Sequence, residues 1–243
     1  MHRTKVRVVE DALDANNTIA GANASDFERS NVTVVSLMSA PGAGKTTLRE
    51  RSLEGLADED PALRVGVLEG DVQGSFDADR LSVLHIPVVQ LNTDNGFGGE
   101  CHLDANMVRS ALPAVPLDEI DVLIVENVGN LVCPAEFRIG EDARIMVCSV
   151  TEGEDKPLKY PLMFRACELV VINKVDLLQH LDFDVDRLEA NIKQVNHHAT
   201  VMRVSAKTGE GVNAFRAWLK ALPARVAEEA HGHDHADQQP ATA

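Results

Sequence analysis

A run of β-branched and apolar residues, Val32 to Met38, passes directly into Ser39-Ala40-Pro41-Gly42-Ala43-Gly44-Lys45-Thr46-Thr47 and then into a helix-forming stretch. Strand, glycine loop and helix start in that order are the phosphate-loop arrangement, with Ser39 where the first glycine usually stands. Gly42 and Gly44 lack Cβ, so the backbone through Ala43 can wrap closely around phosphate with its N–H groups turned inward. The positive end of the following helix adds to that attraction. Lys45 places a point charge at the β- and γ-phosphates, Thr46 offers a hydroxyl to Mg²⁺, and Thr47 continues the cradle.

The rest of the chain has the alternation such a loop requires. Strands are expected over Val32–Met38, Arg64–Glu69, Pro87–Leu91, Asp121–Val125, Ala143–Val150, Leu169–Ile172 and Thr200–Val204. Helices are expected over 46–57, 75–84, 104–112, 184–195 and 211–221. Continuous apolar strands between helical segments are strands buried on both faces. The expected fold is α/β, one domain with a mostly parallel sheet and helices on both faces. Its span is 31–222. Residues 1–30 form a partly helical segment in which Leu13, Ile19, Ala20 and Phe27 can share one side, although Gly21 and several Asn weaken the pattern. Residues 223–243, rich in Ala, acidic residues and His, read as a flexible tail.

Charge sets limits on partners. The 243 residues carry 23 Lys+Arg against 38 Asp+Glu, a net −15. This argues against broad binding to nucleic acid or to an anionic membrane. No apolar run approaches the ~18 residues of a membrane span, and no apolar signal core follows the first residues, so a cytoplasmic location is expected. Four cysteines in a reducing compartment are buried thiols or metal ligands rather than disulfides.

Two further elements concern the nucleotide. Val170-Val171-Ile172 leads into Asn173-Lys174-Val175-Asp176, which resembles the guanine-reading motif of GTPases. A carboxylate at Asp176 accepts from guanine N1–H and its 2-amino group, and adenine would leave it unpaired. Ser205-Ala206-Lys207 follows the next strand and resembles the loop that closes over the base. Asp71 and Glu126 end two strands where acidic groups suit Mg²⁺, directly or through water. Gly129 can offer its N–H to a γ-phosphate, and Asp71 is a candidate for orienting the attacking water. Asp77 and Asp79 read as a helix N-terminus.

A metal-binding constellation is also present. Cys101-His102 lie in a glycine-rich loop before a helix, and Cys133 follows shortly after Gly129. Helix N-termini are expected to favour the thiolates, and thiolate with imidazole suits Zn²⁺ or Ni²⁺. These are three ligands at most, one short of a tetrahedron, so two chains meeting face to face could share an ion. Spacing alone also allows three unrelated residues. Cys148 and Cys167 sit in or beside apolar strands and read as core.

Taken in order, Ser-Ala-Pro-Gly-Ala-Gly-Lys-Thr, Glu-Gly-Asp, Gly-Glu-Cys-His-Leu-Asp, Glu-Asn-Val-Gly-Asn-Leu-Val-Cys-Pro, Thr-Glu-Gly-Glu-Asp-Lys-Pro-Leu-Lys-Tyr-Pro and Asn-Lys-Val-Asp resemble the hydrogenase nickel-incorporation GTPases, the HypB family, over residues 10–222. The resemblance implies a P-loop GTPase that cycles between GTP and GDP with Mg²⁺. It implies a homodimer linked to nucleotide and metal, with Ni²⁺ or Zn²⁺ held at the interface by Cys101, His102 and Cys133. It further implies nickel delivery to the large subunit of [NiFe]-hydrogenase, with a small zinc-containing accessory protein as partner. Lys156 and Lys159 belong to one of these blocks and are candidates to reach a nucleotide across the dimer. Two departures stand out: residues 1–10 hold no Cys, and the histidines cluster instead at His231, His233 and His235. The urease accessory GTPases share the nucleotide motifs but place a Pro between their metal-binding Cys and His, whereas Cys101 and His102 are adjacent. A metal carrier or store with an uncoupled nucleotide site is the other alternative.

Overall fold

The computed structural model describes residues 12–59, 63–71, 86–93 and 101–236. Seven strands form one sheet: β1 (Thr33–Ser39), β2 (Val65–Asp71), β3 (Val88–Asn92), β4 (Val122–Glu126), β5 (Ala143–Ser149), β6 (Leu169–Asn173) and β7 (Thr200–Arg203). Their order is β3-β2-β4-β1-β5-β6-β7, and every pairing is parallel. Each expected strand is present, with ends within two residues of the expectation. Expected helices reappear as α1 (Ala12–Arg29), α2 (Lys45–Glu59), α3 (Ala105–Ala111), α7 (Val185–Val195) and α8 (Val212–Ala236). Three short helices were not foreseen: α4 (Cys133–Glu136), α5 (Lys156–Lys159) and α6 (Pro161–Arg165). Each is five residues or fewer and opens on or next to a proline, so no 3.6-residue periodicity had room to develop.

Successive strand residues serve opposite faces. Val35, Ile124 and Ile145 pack with Leu48, Leu53 and Leu56 of α2 and with Phe215, Trp218 and Leu219 of α8. On the other face, Val34, Leu123 and Val125 meet Phe27 of α1 and Val108 of α3. Met146, Val170 and Ile172 meet Met163 and Phe164 of α6 and Leu188 and Ile192 of α7. Helices on both faces leave the carboxyl ends of the strands as the open edge, with β1 central between β4 and β5. Ligands bind at that edge in open α/β sheets. None of the described helices is long and apolar enough to cross a membrane.

One sequence expectation changes. The helix that starts at Val212 does not end near residue 221; it continues through Pro223 to Ala236. Ala224, Ala227, Glu228, Glu229 and Ala230 are strong helix formers, and they carry the backbone past the proline. The α1 helix forms despite Gly21 and its asparagines, because Asn16 and Asn23 face inward as hydrogen-bonding residues. Asn16 donates to the Arg138 carbonyl (2.8 Å) and accepts from the Ala105 N–H (2.9 Å). Asn23 donates to the carbonyls of Ala105 (2.9 Å) and Ile139 (3.1 Å). The expected helix 75–84 with Asp77 and Asp79, residues 98–100 of the glycine-rich loop, and the side chains of Asp71, His231, His233 and His235 lie outside the described residues.

Candidate functional site: a phosphate cleft joined to a thiol–imidazole cluster

The loop between β1 and α2 borders a cleft of about 650 Å³. Gly44 has φ +91°, and a Cβ there would lie 2.5 Å from the Asn173 amide nitrogen. The loop therefore needs glycine both for its backbone angle and for its neighbour. Asn173, at the end of β6, donates to the Ala43 carbonyl (2.9 Å) and accepts from the Ala206 N–H (3.1 Å). One buried amide thus ties the phosphate loop to the Ser205-Ala206-Lys207 loop. Lys174 adopts a left-handed backbone and its ammonium donates to the Gly42 carbonyl (2.6 Å). Ser205 Oγ donates to Asp176 (2.6 Å). A second hollow beside the first is lined by Thr47, Asn173, Lys174, Asp176, Ala206 and Lys207. The groups expected to read a base therefore surround one space next to the phosphate cleft.

Glu126 ends β4 beneath the loop. Its Oε1 accepts from Thr46 Oγ1 (2.7 Å) and pairs with the Lys45 ammonium. Its Oε2 pairs with Arg49, one turn further along α2. Burial alone would raise the Glu126 carboxyl, but Lys45, then Arg49 and the hydrogen bonds from Lys45 and Thr46, hold it below the ordinary range. Arg49 also lies 3.6 Å from Glu69 on the neighbouring strand. The Thr46 hydroxyl, the buried, ionised Glu126 carboxylate and the neighbouring Glu69 carboxyl group form an oxygen donor set that fits Mg²⁺. Arg49 escaped sequence reasoning; its one signal was a charge on the same buried helix face as Leu48, Leu53 and Leu56.

The segment after β4 leads to the second cluster. Gly129 packs on the phosphate loop, where a Cβ would approach the Pro41 backbone to 3.1 Å. Asn127 accepts from the Leu103 N–H (2.9 Å), and Asn130 donates to the Cys101 carbonyl (3.1 Å). Cys133 then brings its sulfur to 3.3 Å from that of Cys101, and His102 Nδ1 is 3.6 Å from the Cys101 sulfur. The three possible ligand atoms all lie within 4.8 Å of one another. The structure therefore brings the expected trio together, and Asn127 and Asn130 are the fasteners the sequence did not indicate.

The thiolate expectation needs correction. Asp104, not Cys101, caps α3, accepting from the Met107 N–H at 2.7 Å. Cys133 opens a helix of only four residues. Its thiol is pushed up, first by its hydrogen bond with the Cys101 thiol, then by burial and by the Cys101 charge. Two sulfurs this close resist carrying two negative charges without a cation between them. Cys148 and Cys167 are buried, and burial pushes both thiols up, as core residues should behave. Lys156 lies 3.9 Å from Glu152 and over the Tyr160 ring, and Lys159 pairs with Asp155 at 2.6 Å. Neither is among the residues lining the phosphate cleft.

Residues 33–203 match the family model for the CobW/HypB/UreG nucleotide-binding domain. The hydrogenase maturation factor HypB of Escherichia coli K12 is 46% identical over 218 residues, covering 90% of this chain and 73% of that protein. The crystal structure of HypB from Archaeoglobus fulgidus superposes with a TM-score of 0.78 at 35% identity, covering 86% of this chain and 99% of that one. HypB from Helicobacter pylori, solved in complex with nickel, superposes with the same score at 32% identity, covering 87% and 96%.

Proposed function

Since the chain belongs to the HypB family of hydrogenase maturation factors and carries that family's nucleotide-binding domain, we propose that it is a GTP-hydrolysing nickel metallochaperone. The observation that carries this reading is the eight-residue segment from Glu126 to Cys133. At one end it touches Lys45 and Thr46 of the phosphate loop, and at the other it supplies a sulfur to the Cys101–His102 pair. Phosphate chemistry and soft-metal chemistry share one stretch of backbone. The nickel-bound state of the Helicobacter pylori relative supports the second half of the reading.

Phosphates enter the cleft against the backbone of Gly42, Ala43 and Gly44, and Lys45 turns from Glu126 to the β- and γ-oxygens. Asp176, with Lys174 along the base plane, selects guanine, and Asn173, Ser205, Ala206 and Lys207 close the base site. Thr46 and Glu126, with Asp71, would hold Mg²⁺, whose chemistry is to neutralise charge building on the phosphate oxygens. Gly129 presents its N–H to the γ-phosphate. Asp71 orients the attacking water; Asp71→Asn is expected to lower either hydrolysis or Mg²⁺ affinity.

Contact of the γ-phosphate with Gly129 draws the following turn inward and moves Cys133 relative to Cys101 and His102. Two such faces meeting in a homodimer share one Ni²⁺ or Zn²⁺, and hydrolysis relaxes the site. The ion then passes to the large subunit of [NiFe]-hydrogenase with help from a small zinc-containing accessory protein. GTP turnover that disappears in Lys45→Ala, and bound nickel that disappears in Cys133→Ser without loss of nucleotide binding, are the expected results. Nickel binding without any GTP turnover in the wild type would favour a carrier or store instead.

A further inference from the structure

Phe137 offers no ligand atom, yet it touches the thiol–imidazole cluster. Its half-buried ring lies against the His102 imidazole, with centroids 4.4 Å apart and planes tilted by 48°. The Phe137 N–H donates to the Cys133 carbonyl at 3.3 Å, closing the short helix α4 that Cys133 opens. Buried Pro134 stiffens that single turn. One turn of helix therefore offers a sulfur at its start and an aromatic ring at its end. Cys101 and His102 are neighbours in the opposing segment, so the two segments meet twice. Sulfur meets sulfur at 3.3 Å, and ring meets ring. His102 Nδ1 is 3.6 Å from the Cys101 sulfur, while its Nε2 is shielded from solvent. The ring that packs on Phe137 thus turns Nδ1 to the sulfur side.

A histidine side chain samples several rotamers, and fixing one of them when a metal binds costs entropy. A contact that selects the binding rotamer beforehand lowers that cost. A tilted aromatic pair supplies such a contact, with an attraction beyond the area it buries. We propose that Phe137 is a positioning residue of the metal site: it holds the His102 ring in the orientation that sets Nδ1 beside the Cys101 and Cys133 sulfurs. The proposal rests on the metal reading above. Phe137 acts through the imidazole and not by touching an ion.

The test is a double-mutant cycle on Zn²⁺ affinity, measured on the full chain by competition against a chelator with thiols kept reduced, and with thermal unfolding as the control for folding. Phe137→Ala is expected to weaken Zn²⁺ binding about three- to tenfold, and Phe137→Tyr, which keeps the ring, to stay within about twofold of wild type. In a His102→Ala background the same Phe137→Ala change is expected to cost less than about twofold, because the ring it positions is gone. A merely structural role, exerted on Cys133 through α4, would weaken binding equally in both backgrounds. Equal losses in the two backgrounds, a folded Phe137→Ala variant with wild-type affinity, or a His102→Ala variant with wild-type affinity each overturn the proposal. If Phe137→Ala does not fold, Phe137→Leu takes its place in the cycle under the same criteria. A chain whose Zn²⁺ affinity is unchanged by both Cys101→Ser and Cys133→Ser refutes the metal reading instead.

Discussion

Asp176 shows how far one residue type constrains chemistry. It lies in the hollow beside the phosphate cleft and already accepts from Ser205 at 2.6 Å. An amide in its place presents a donor to guanine's own donors. Asp176→Asn is expected to weaken GDP binding by tenfold or more, about 1.4 kcal/mol or above, while improving binding of the xanthine analogue, which carries an oxygen at that edge. Competition between the two diphosphates measures it. Glu126 supplies a second prediction. Its carboxyl lies below the ordinary range in the folded chain, so its contribution to stability is present above the unfolded value of 4.5 and is lost as pH falls below it. Urea unfolding of the nucleotide-free protein should weaken on acidification below that pH, and Glu126→Gln should flatten the slope. Lys45, Thr46, Asp176 and the Cys101–His102–Cys133 trio were legible in the sequence because their chemistry depends on residue type and motif order. Arg49 was not, because its role depends on which carboxylates neighbouring strands bring to it.

Secondary-structure elements show the same division. Strands were legible because both faces are buried, and the apolar runs mark them without ambiguity. The α1 helix was only half legible: Ala20 and Phe27 face the core as expected, yet Asn16 and Asn23 occupy the same face for hydrogen bonding. Asn23→Ala strands the Ala105 and Ile139 carbonyls, both bonded through that amide. It is expected to cost about 2–3 kcal/mol in urea unfolding while leaving nucleotide affinity nearly unchanged. The turn after β4 behaves differently. Asn130→Ala removes the bonds to the Cys101 carbonyl and to the Cys133 thiol without touching cleft side chains. It is expected to preserve nucleotide affinity measured alone, to weaken nickel binding, and to reduce the effect of each ligand on the other. Helix α8 passing Pro223, and the short proline-headed helices, depend on tertiary context that periodicity does not carry.

At the scale of the molecule, a parallel sheet gathers residues from positions 42 to 207 at one edge, and the chain between β4 and β5 extends that edge to the sulfur cluster. On the proposed function, nucleotide and nickel report to each other through this segment. Coupling between two sites must be reciprocal, and it typically amounts to ~1–3 kcal/mol. The most direct measurement is a Ni²⁺ titration against a competing chelator, once with GDP bound and once with a non-hydrolysable GTP analogue, recording affinity and ions per chain. An affinity shift of about tenfold between the two states, with one ion shared by two chains, is the predicted result. Equal affinity in both states, at one ion per chain, would contradict it.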